Sequence, residues 1–163
     1  MNPTLLEPLQ YVYYTQLFGQ NPAMYRQFGM RGHNGIDYRV VTKDTPKGHM
    51  YVYPMAPGTV YEATDQDVYA LGVRVRGKGY GKFVRLVHDD GSQTIYGHLS
   101  KWYVKKGQRV GVNDIIGLTG NTGFSTGAHL HCGYRPPEWA KNYGNGYAGY
   151  IDHKPFLTPR KTV

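Results

Sequence analysis

Glycine is the residue that most limits how this chain can fold. It occupies 22 of the 163 positions, nearly twice a typical share of roughly 7%, and it follows no collagen-like period. Glycine weakens helices and permits the positive φ angles of tight turns. The sequence therefore predicts many chain reversals, little helix and a mainly β fold.

The length of 163 residues fits one domain, which is long enough to bury a core without disulfides. A single cysteine cannot form an internal disulfide, so packing must stabilise the fold. A bound metal is the one further source of stability that the sequence suggests. We expect one domain over 1–163. An extended segment is predicted at 1–10, where Pro3 and Pro8 disfavour helix, and a frayed tail is predicted at 158–163.

The charge of the chain limits the classes of partner that it is expected to bind. Lys and Arg number 19 against 11 Asp and Glu, which gives +8 and favours an anionic partner: nucleic acid, acidic lipid or an acidic cell-wall polymer. No apolar run approaches the roughly 20 residues of a membrane span, so no membrane insertion is expected. The start of the chain lacks the basic and apolar parts of a signal peptide. No nucleic-acid-binding motif is recognisable, which argues against nucleic acid.

Several segments read as short strands. The runs at 83–88 and 93–99 flank an Asp-Gly turn and predict an antiparallel hairpin. Further strands are predicted over 11–18, around 58–63 and over 127–135, the last ended by two prolines.

His129 and His131 flank Leu130 in the last of these strands. Side chains alternate faces along a strand, so both imidazoles project to one side, where they can form a metal or acid–base pair. Two exposed histidines on a solvated strand would give the same pattern. By the same alternation Cys132 points away from them, and we expect a buried thiol there.

His33 and Asp37 have an H-x-x-x-D spacing, in a segment where glycines let the backbone bend. A neutral imidazole and a carboxylate suit zinc, although any His near an Asp would match this pattern. His98 ends the second strand of the hairpin, where it can face either the core or a cleft. The remaining histidines, His49, His88 and His153, are expected to be surface or hydrogen-bonded residues.

Five segments carry a resemblance to a known family. In order they are GHNGIDY at 32–38, APGTV at 56–60, YGHLS at 96–100, VKKGQRVGVNDIIGLTGNTG at 104–123 and TGAHLHCGYR at 126–135. Together they resemble the lysostaphin-like, LytM-type zinc metallopeptidases, which cleave the peptide cross-links of bacterial peptidoglycan. The resemblance extends from about residue 15 to residue 157. It implies a metallopeptidase catalytic domain whose antiparallel β-sheet forms a groove.

The resemblance also implies a site. His33, Asp37 and His131 would hold one Zn²⁺ ion, and His98 and His129 would be the catalytic histidines. Of these two, His129 is our prediction for the general base, and His98 would orient the water or stabilise the intermediate. Tyr25, which lies upstream of the first metal ligand, is assigned a packing role.

The implied substrate is a peptide of bacterial peptidoglycan, and anionic cell-wall polymers are the implied partners of a monomeric enzyme. Such an enzyme acts on the wall, outside the cytoplasm; without a signal peptide, it could be associated with a bacteriophage virion or released by lysis. The alternative is a non-catalytic relative that binds peptidoglycan or activates an amidase. Glycyl-glycine bridges and D-alanyl-diaminopimelate cross-links remain equally open as the bond that is cut.

Overall fold

A computed structural model describes residues 3–70, 73–75 and 79–161. Its strands are, in chain order, β1 (Leu5–Leu6), β2 (Tyr14–Gln16), β3 (Ile36–Arg39), β4 (Tyr51–Val52), β5 (Gly58–Asp65), β6 (Val68–Ala70), β7 (Val73–Val75), β8 (Lys82–Val87), β9 (Gln93–Trp102), β10 (Arg109–Val110), β11 (Gly117–Thr119), β12 (His129–Arg135) and β13 (Leu157–Thr158). One short helix, α1, spans Pro22–Tyr25, and single 3₁₀ turns span Arg26–Phe28, Trp139–Asn142 and Lys154–Phe156. No helix within the described ranges has the length and apolarity needed to cross a membrane.

One sheet of nine strands dominates the fold. Seven strands follow the order β10-β5-β8-β9-β12-β3-β2, and β11 pairs with both β9 and β4. Every pairing in this sheet is antiparallel. The expectation of a mainly β, antiparallel fold is therefore confirmed.

The predicted hairpin is present as β8 and β9. Val87 pairs with Gln93, and the amide of His88 donates to the carbonyl of Ser92 across the turn. Gly91 has φ 85°, a conformation that favours glycine and explains its place in the turn. The strand predicted over 11–18 is shorter than expected and covers only β2.

Strand alternation separates the core from the site. In β12, Leu130, Cys132 and Tyr134 face the core, whereas His129 and His131 lie on the opposite face. Cys132 is completely buried, as expected, and burial raises the pKa of its thiol well above the usual value. The thiol is a packing group behind the site.

The predicted frayed tail at 158–163 is wrong for its first part. Thr158 pairs with Leu6, because β13 lies parallel to β1. The guanidinium of Arg160 donates to the backbone carbonyls of Glu7, Pro54 and Val112, and this fork of donors holds the tail against the body. Residues 162 and 163 lie outside the described part of the chain.

The three histidines outside the proposed site have different surroundings. His49 is exposed and His88 is hydrogen-bonded, to the carbonyl of Pro57 at 2.7 Å and to the hydroxyl of Thr94 at 3.0 Å, both as expected. His153 is 0% exposed, and neither ring nitrogen has a side-chain partner. Of the two expectations, a surface or a hydrogen-bonded residue, the first is wrong for His153, because the segment after β12 folds back and packs its ring near Tyr134, 6.3 Å between centroids.

Candidate metal centre and catalytic groove

Three predicted ligands converge at the centre of the sheet. Asp37 on β3 pairs with His131 on β12, and His33 lies just before β3. Asp37 Oδ1 is 3.0 Å from His33 Nε2 and 3.0 Å from His131 Nδ1, and these two nitrogens are also 3.0 Å apart. All three residues are buried. Among the described residues, they form the one group of His, Cys, Asp or Glu with spacing suited to a metal ion.

The triangle of donor atoms fits a small divalent cation. Tetrahedral zinc, with bonds of 2.0–2.1 Å to nitrogen and oxygen, separates its ligand atoms by roughly 3.3 Å, close to the spacing here. A site with three protein ligands leaves one tetrahedral position for water or substrate. The donor set therefore matches a catalytic centre in number, type and spacing.

The tautomer of His33 strengthens this fit. Its Nδ1 lies 3.2 Å from the carbonyl of Leu17, which can only accept, so in the neutral ring Nδ1 carries the hydrogen and Nε2 does not. An unprotonated nitrogen then faces the Asp37 carboxylate at 3.0 Å. Two acceptors at this distance need a proton or a metal ion between them, and a metal ion takes the place of the proton when it binds.

Neighbouring groups keep the Asp37 carboxyl ionised. Burial alone would raise the pKa of this carboxyl, but the His131 and His33 rings outweigh burial and hold the pKa well below its usual range. The carboxylate is therefore ionised at neutral pH, which is the form that binds a metal.

The two predicted catalytic histidines lie beside the triangle. The rings of His98 and His129 are 4.6 Å apart between centroids, and His129 Nε2 is 3.6 Å from Asp37 Oδ2. His129 Nδ1 donates to the carbonyl of Gly127 at 2.9 Å, which leaves Nε2 of the neutral ring unprotonated. The His129 side chain is 20% exposed, whereas His98 is buried. His129 is thus the more accessible of the two to a water or substrate.

His98 is held rigidly. It has φ 60°, a left-handed conformation that is uncommon outside glycine, and its Nδ1 donates to the carbonyl of Thr122 at 2.7 Å. Burial, followed by the nearby His129 and His131 rings, lowers the pKa of His98 to about 3. In this arrangement His98 is neutral, and its Nε2 is an acceptor.

Two tyrosines that the sequence did not predict as site residues lie beside the triangle. The Tyr25 ring lies 5.3 Å from the His33 ring, and its hydroxyl donates to Gln16 Oε1 at 3.2 Å. Burial and the charge of Asp37 raise the pKa of Tyr25 to about 12, so its hydroxyl keeps the proton at neutral pH. Tyr80 packs 5.3 Å from the His131 ring. Among 16 tyrosines, no local pattern singles out these two.

A buried His-Asp-His triangle, flanked by two more histidines on an antiparallel sheet, defines the class of metal-dependent hydrolases. The sequence profile described as "Peptidase family M23" matches residues 31–143, and the chain belongs to this family. The resemblance to lysostaphin-like metallopeptidases is thereby confirmed.

Known relatives agree with this family. The chain is 42% identical over 102 residues to an uncharacterized metalloprotease of Haemophilus influenzae, covering 63% of this chain and 18% of that protein. It is 40% identical over 99 residues to the peptidoglycan DD-endopeptidase ShyA of Vibrio cholerae, covering 61% of this chain and 19% of that protein. The chain thus spans less than one fifth of the length of these two relatives.

The fold has a close counterpart among solved structures. The catalytic domain of the antimicrobial peptidase lysostaphin from Staphylococcus simulans superposes with a TM-score of 0.65 at 26% identity, covering 89% of this chain and 91% of that domain. The described fold therefore matches that domain over most of its length.

Proposed function

We propose that this chain is a zinc-dependent endopeptidase that hydrolyses peptide bonds in the stem peptides or cross-bridges of bacterial peptidoglycan. The buried triangle of His33, Asp37 and His131, with His129 3.6 Å from the same carboxylate, is the observation that carries the proposal. The family supplies the hydrolase class, and the names of ShyA and lysostaphin support a peptidoglycan substrate.

The three ligands would hold the metal, and the fit favours zinc because two imidazoles and one carboxylate are donors that it commonly takes. When bound there, zinc would polarise the scissile carbonyl and lower the pKa of a water to roughly 7. The ligands would supply one negative charge, from Asp37.

His129 is the group that we assign to proton transfer. Its unprotonated Nε2 lies 3.6 Å from Asp37 Oδ2, and its 20% exposed side chain supports access to a water. An imidazole can accept a proton from an attacking water and later donate it to the departing amine. The carbonyl of Gly127 orients this ring through Nδ1, while Asp37 Oδ1 belongs to the ligand triangle.

His98 has a different role in this proposal. Its low pKa keeps the ring neutral, and the bond to Thr122 fixes the orientation of Nε2. A fixed acceptor beside His129 can orient a water without competing for its proton. This division of labour makes His129 the base and His98 the positioning group.

A non-catalytic relative is the second candidate function. Such a protein would bind peptidoglycan or activate an amidase without turning over substrate. The presence of all five polar side chains in one cluster favours the enzyme. The same proposal has four further parts. The chain is a single catalytic domain, it is monomeric, and its +8 charge lets it contact anionic wall polymers. It acts on the wall, outside the cytoplasm.

Chelation separates these functions. Purified protein is assayed for zinc content and for clearing of cell-wall suspensions, before and after a chelator and after zinc is added back. We expect one zinc per chain, activity lost with the metal and activity restored with zinc. Clearing by metal-free protein would refute the metal mechanism, and no clearing by fully loaded protein would favour the non-catalytic relative.

A further inference from the structure

A cleft lies along β3, beyond the ligand triangle. It has a volume of about 390 Å³, and its lining includes Tyr11, Tyr13, Arg39 and Lys43. We call it the β3 cleft. None of these four residues belongs to the proposed metal or catalytic set.

Register places the β3 cleft beside the catalytic histidine. Asp37 and Arg39 are two residues apart on β3 and so share a face, with their Cα atoms about 7 Å apart. Arg39 is also the direct partner of His129 on β12. The Arg39 guanidinium therefore lies on the same side of the sheet as the proposed base.

The tyrosines of the β3 cleft face the same side. The Tyr14 hydroxyl donates to Glu7 and its ring packs against Tyr38, so Tyr14 points to the opposite side of β2. Its neighbour Tyr13 takes the site side, and the amide of Arg39 donates to the Tyr13 carbonyl at 2.8 Å. Tyr11 and Tyr13 are 57% and 60% exposed, so both rings are open to solvent at the β3 cleft.

The cations of the β3 cleft have no neutralising partner among the described residues. Arg39 and Lys43 are exposed, and their side chains make no hydrogen bond or ion pair with the described residues. Other arginines are engaged: Arg85 pairs with Glu62, and Arg109 pairs with Asp89. The acidic residue in the lining is Asp44, so two cations outnumber one anion. A guanidinium free to make two parallel hydrogen bonds is suited to a carboxylate.

We propose that the β3 cleft binds a carboxylate-bearing residue of the substrate peptide, next to the bond that is cut, and that Arg39 determines this specificity. The inference rests on the proposed peptidase function. The exposed rings of Tyr11 and Tyr13 cover the aliphatic part of that residue, while Arg39 and Lys43 bind its carboxylate. A bridge made only of glycine offers no side chain to this cleft. The substrate class is therefore an acidic stem-peptide cross-link.

The test compares one cross-linked stem peptide with its side-chain carboxylates free and the same peptide with them amidated. Binding of both to the zinc-loaded protein is measured by calorimetry in the cold, and hydrolysis is followed separately. We expect Arg39→Gln to weaken binding of the free-acid peptide about tenfold and to raise its KM with little change in kcat. Binding of the amidated peptide should change less than about twofold. Arg39→Lys keeps the charge and should recover part of the affinity.

Lys105→Gln is the matched control, because Lys105 is exposed and lies in the turn before β10, at the opposite edge of the sheet. It removes one positive charge and should change neither peptide's affinity. Equal losses for both peptides with Arg39→Gln, or a loss with Lys105→Gln of the same size, would overturn the inference. Selective binding without hydrolysis would support the β3 cleft but refute the peptidase. Hydrolysis of both peptides at equal KM would support the peptidase alone.

Discussion

Asp37 is the residue on which the proposed chemistry depends most. One carboxylate oxygen lies 3.0 Å from both histidine nitrogens of the triangle, and the other lies 3.6 Å from His129. A single side chain thus belongs to the proposed ligand triangle and also lies beside the proposed base. The two histidines of the H-x-H motif divide accordingly, with His131 in the triangle and His129 beside it.

This division can be tested by metal content. His129→Ala should keep its zinc and lose at least about a hundredfold in activity, because general acid–base groups contribute roughly 10²–10⁴ in rate. His33→Ala should lose both zinc and activity, because it opens the triangle. His49→Ala, at an exposed histidine, is the control and should change neither. Metal loss in His129→Ala with retention in His131→Ala would reverse the assignment.

Among the elements, three adjacent strands supply most of the site. Asp37 comes from β3, His129 and His131 from β12, and His98 from β9, and these strands are neighbours in the sheet. The short strands β1 and β13 form a separate two-stranded sheet, which joins the two ends of the described chain. Short edge elements of this kind depend on side chains for stability, and here Arg160 provides the contact.

Removing that contact should weaken the fold. Arg160→Ala leaves the carbonyls of Glu7, Pro54 and Val112 without their donor, and we expect the free energy of unfolding to fall by about 2 kcal/mol. Lys161→Ala, at the exposed neighbour, should be within about 0.5 kcal/mol of the parent. Urea unfolding of the zinc-loaded proteins measures both. Identical midpoints for Arg160→Ala and the parent would show that the tail does not contribute to the fold.

For the whole molecule, buried neutral histidines make stability depend on pH. Burial lowers the pKa of His88, and it lowers the pKa values of His98 and His153 to about 3. Unfolded histidines titrate near pH 6.5, so below that pH the unfolded state takes up protons that the folded state does not. The stabilisation is therefore complete above pH 6.5 and is lost as pH falls toward the folded pKa.

His153 allows this loss to be measured away from the metal ligands. With chelator-treated protein, His153→Leu should lose about 2 kcal/mol less of its free energy of unfolding between pH 7 and pH 5 than the parent. His49→Leu, at an exposed position, should keep the parent's pH dependence. If the free energy of unfolding fell equally with pH in His153→Leu and in the parent, His153 would be protonated equally in the folded and unfolded states.

Local sequence rules predicted the parts of the fold that depend on near neighbours. The Asp-Gly turn predicted the β8–β9 hairpin, and strand alternation placed His129 and His131 on one face with Cys132 behind them. The resemblance of five motifs to a family supplied the grouping of the site residues. Neither source could place Arg160 or His153, because their burial depends on contacts with segments far away in the chain.

The sequence by itself determined a β-rich chain, the hairpin, the face that each histidine takes on its strand and, through its motifs, the family. Tertiary structure decided which of these residues meet: the 3.0 Å triangle, the contact of His129 with Asp37, and the alignment of Arg39 with His129. The physical reason is that periodicity sets the direction of a side chain within one strand. Distances between strands depend on sheet order and register, which follow from packing of the whole chain.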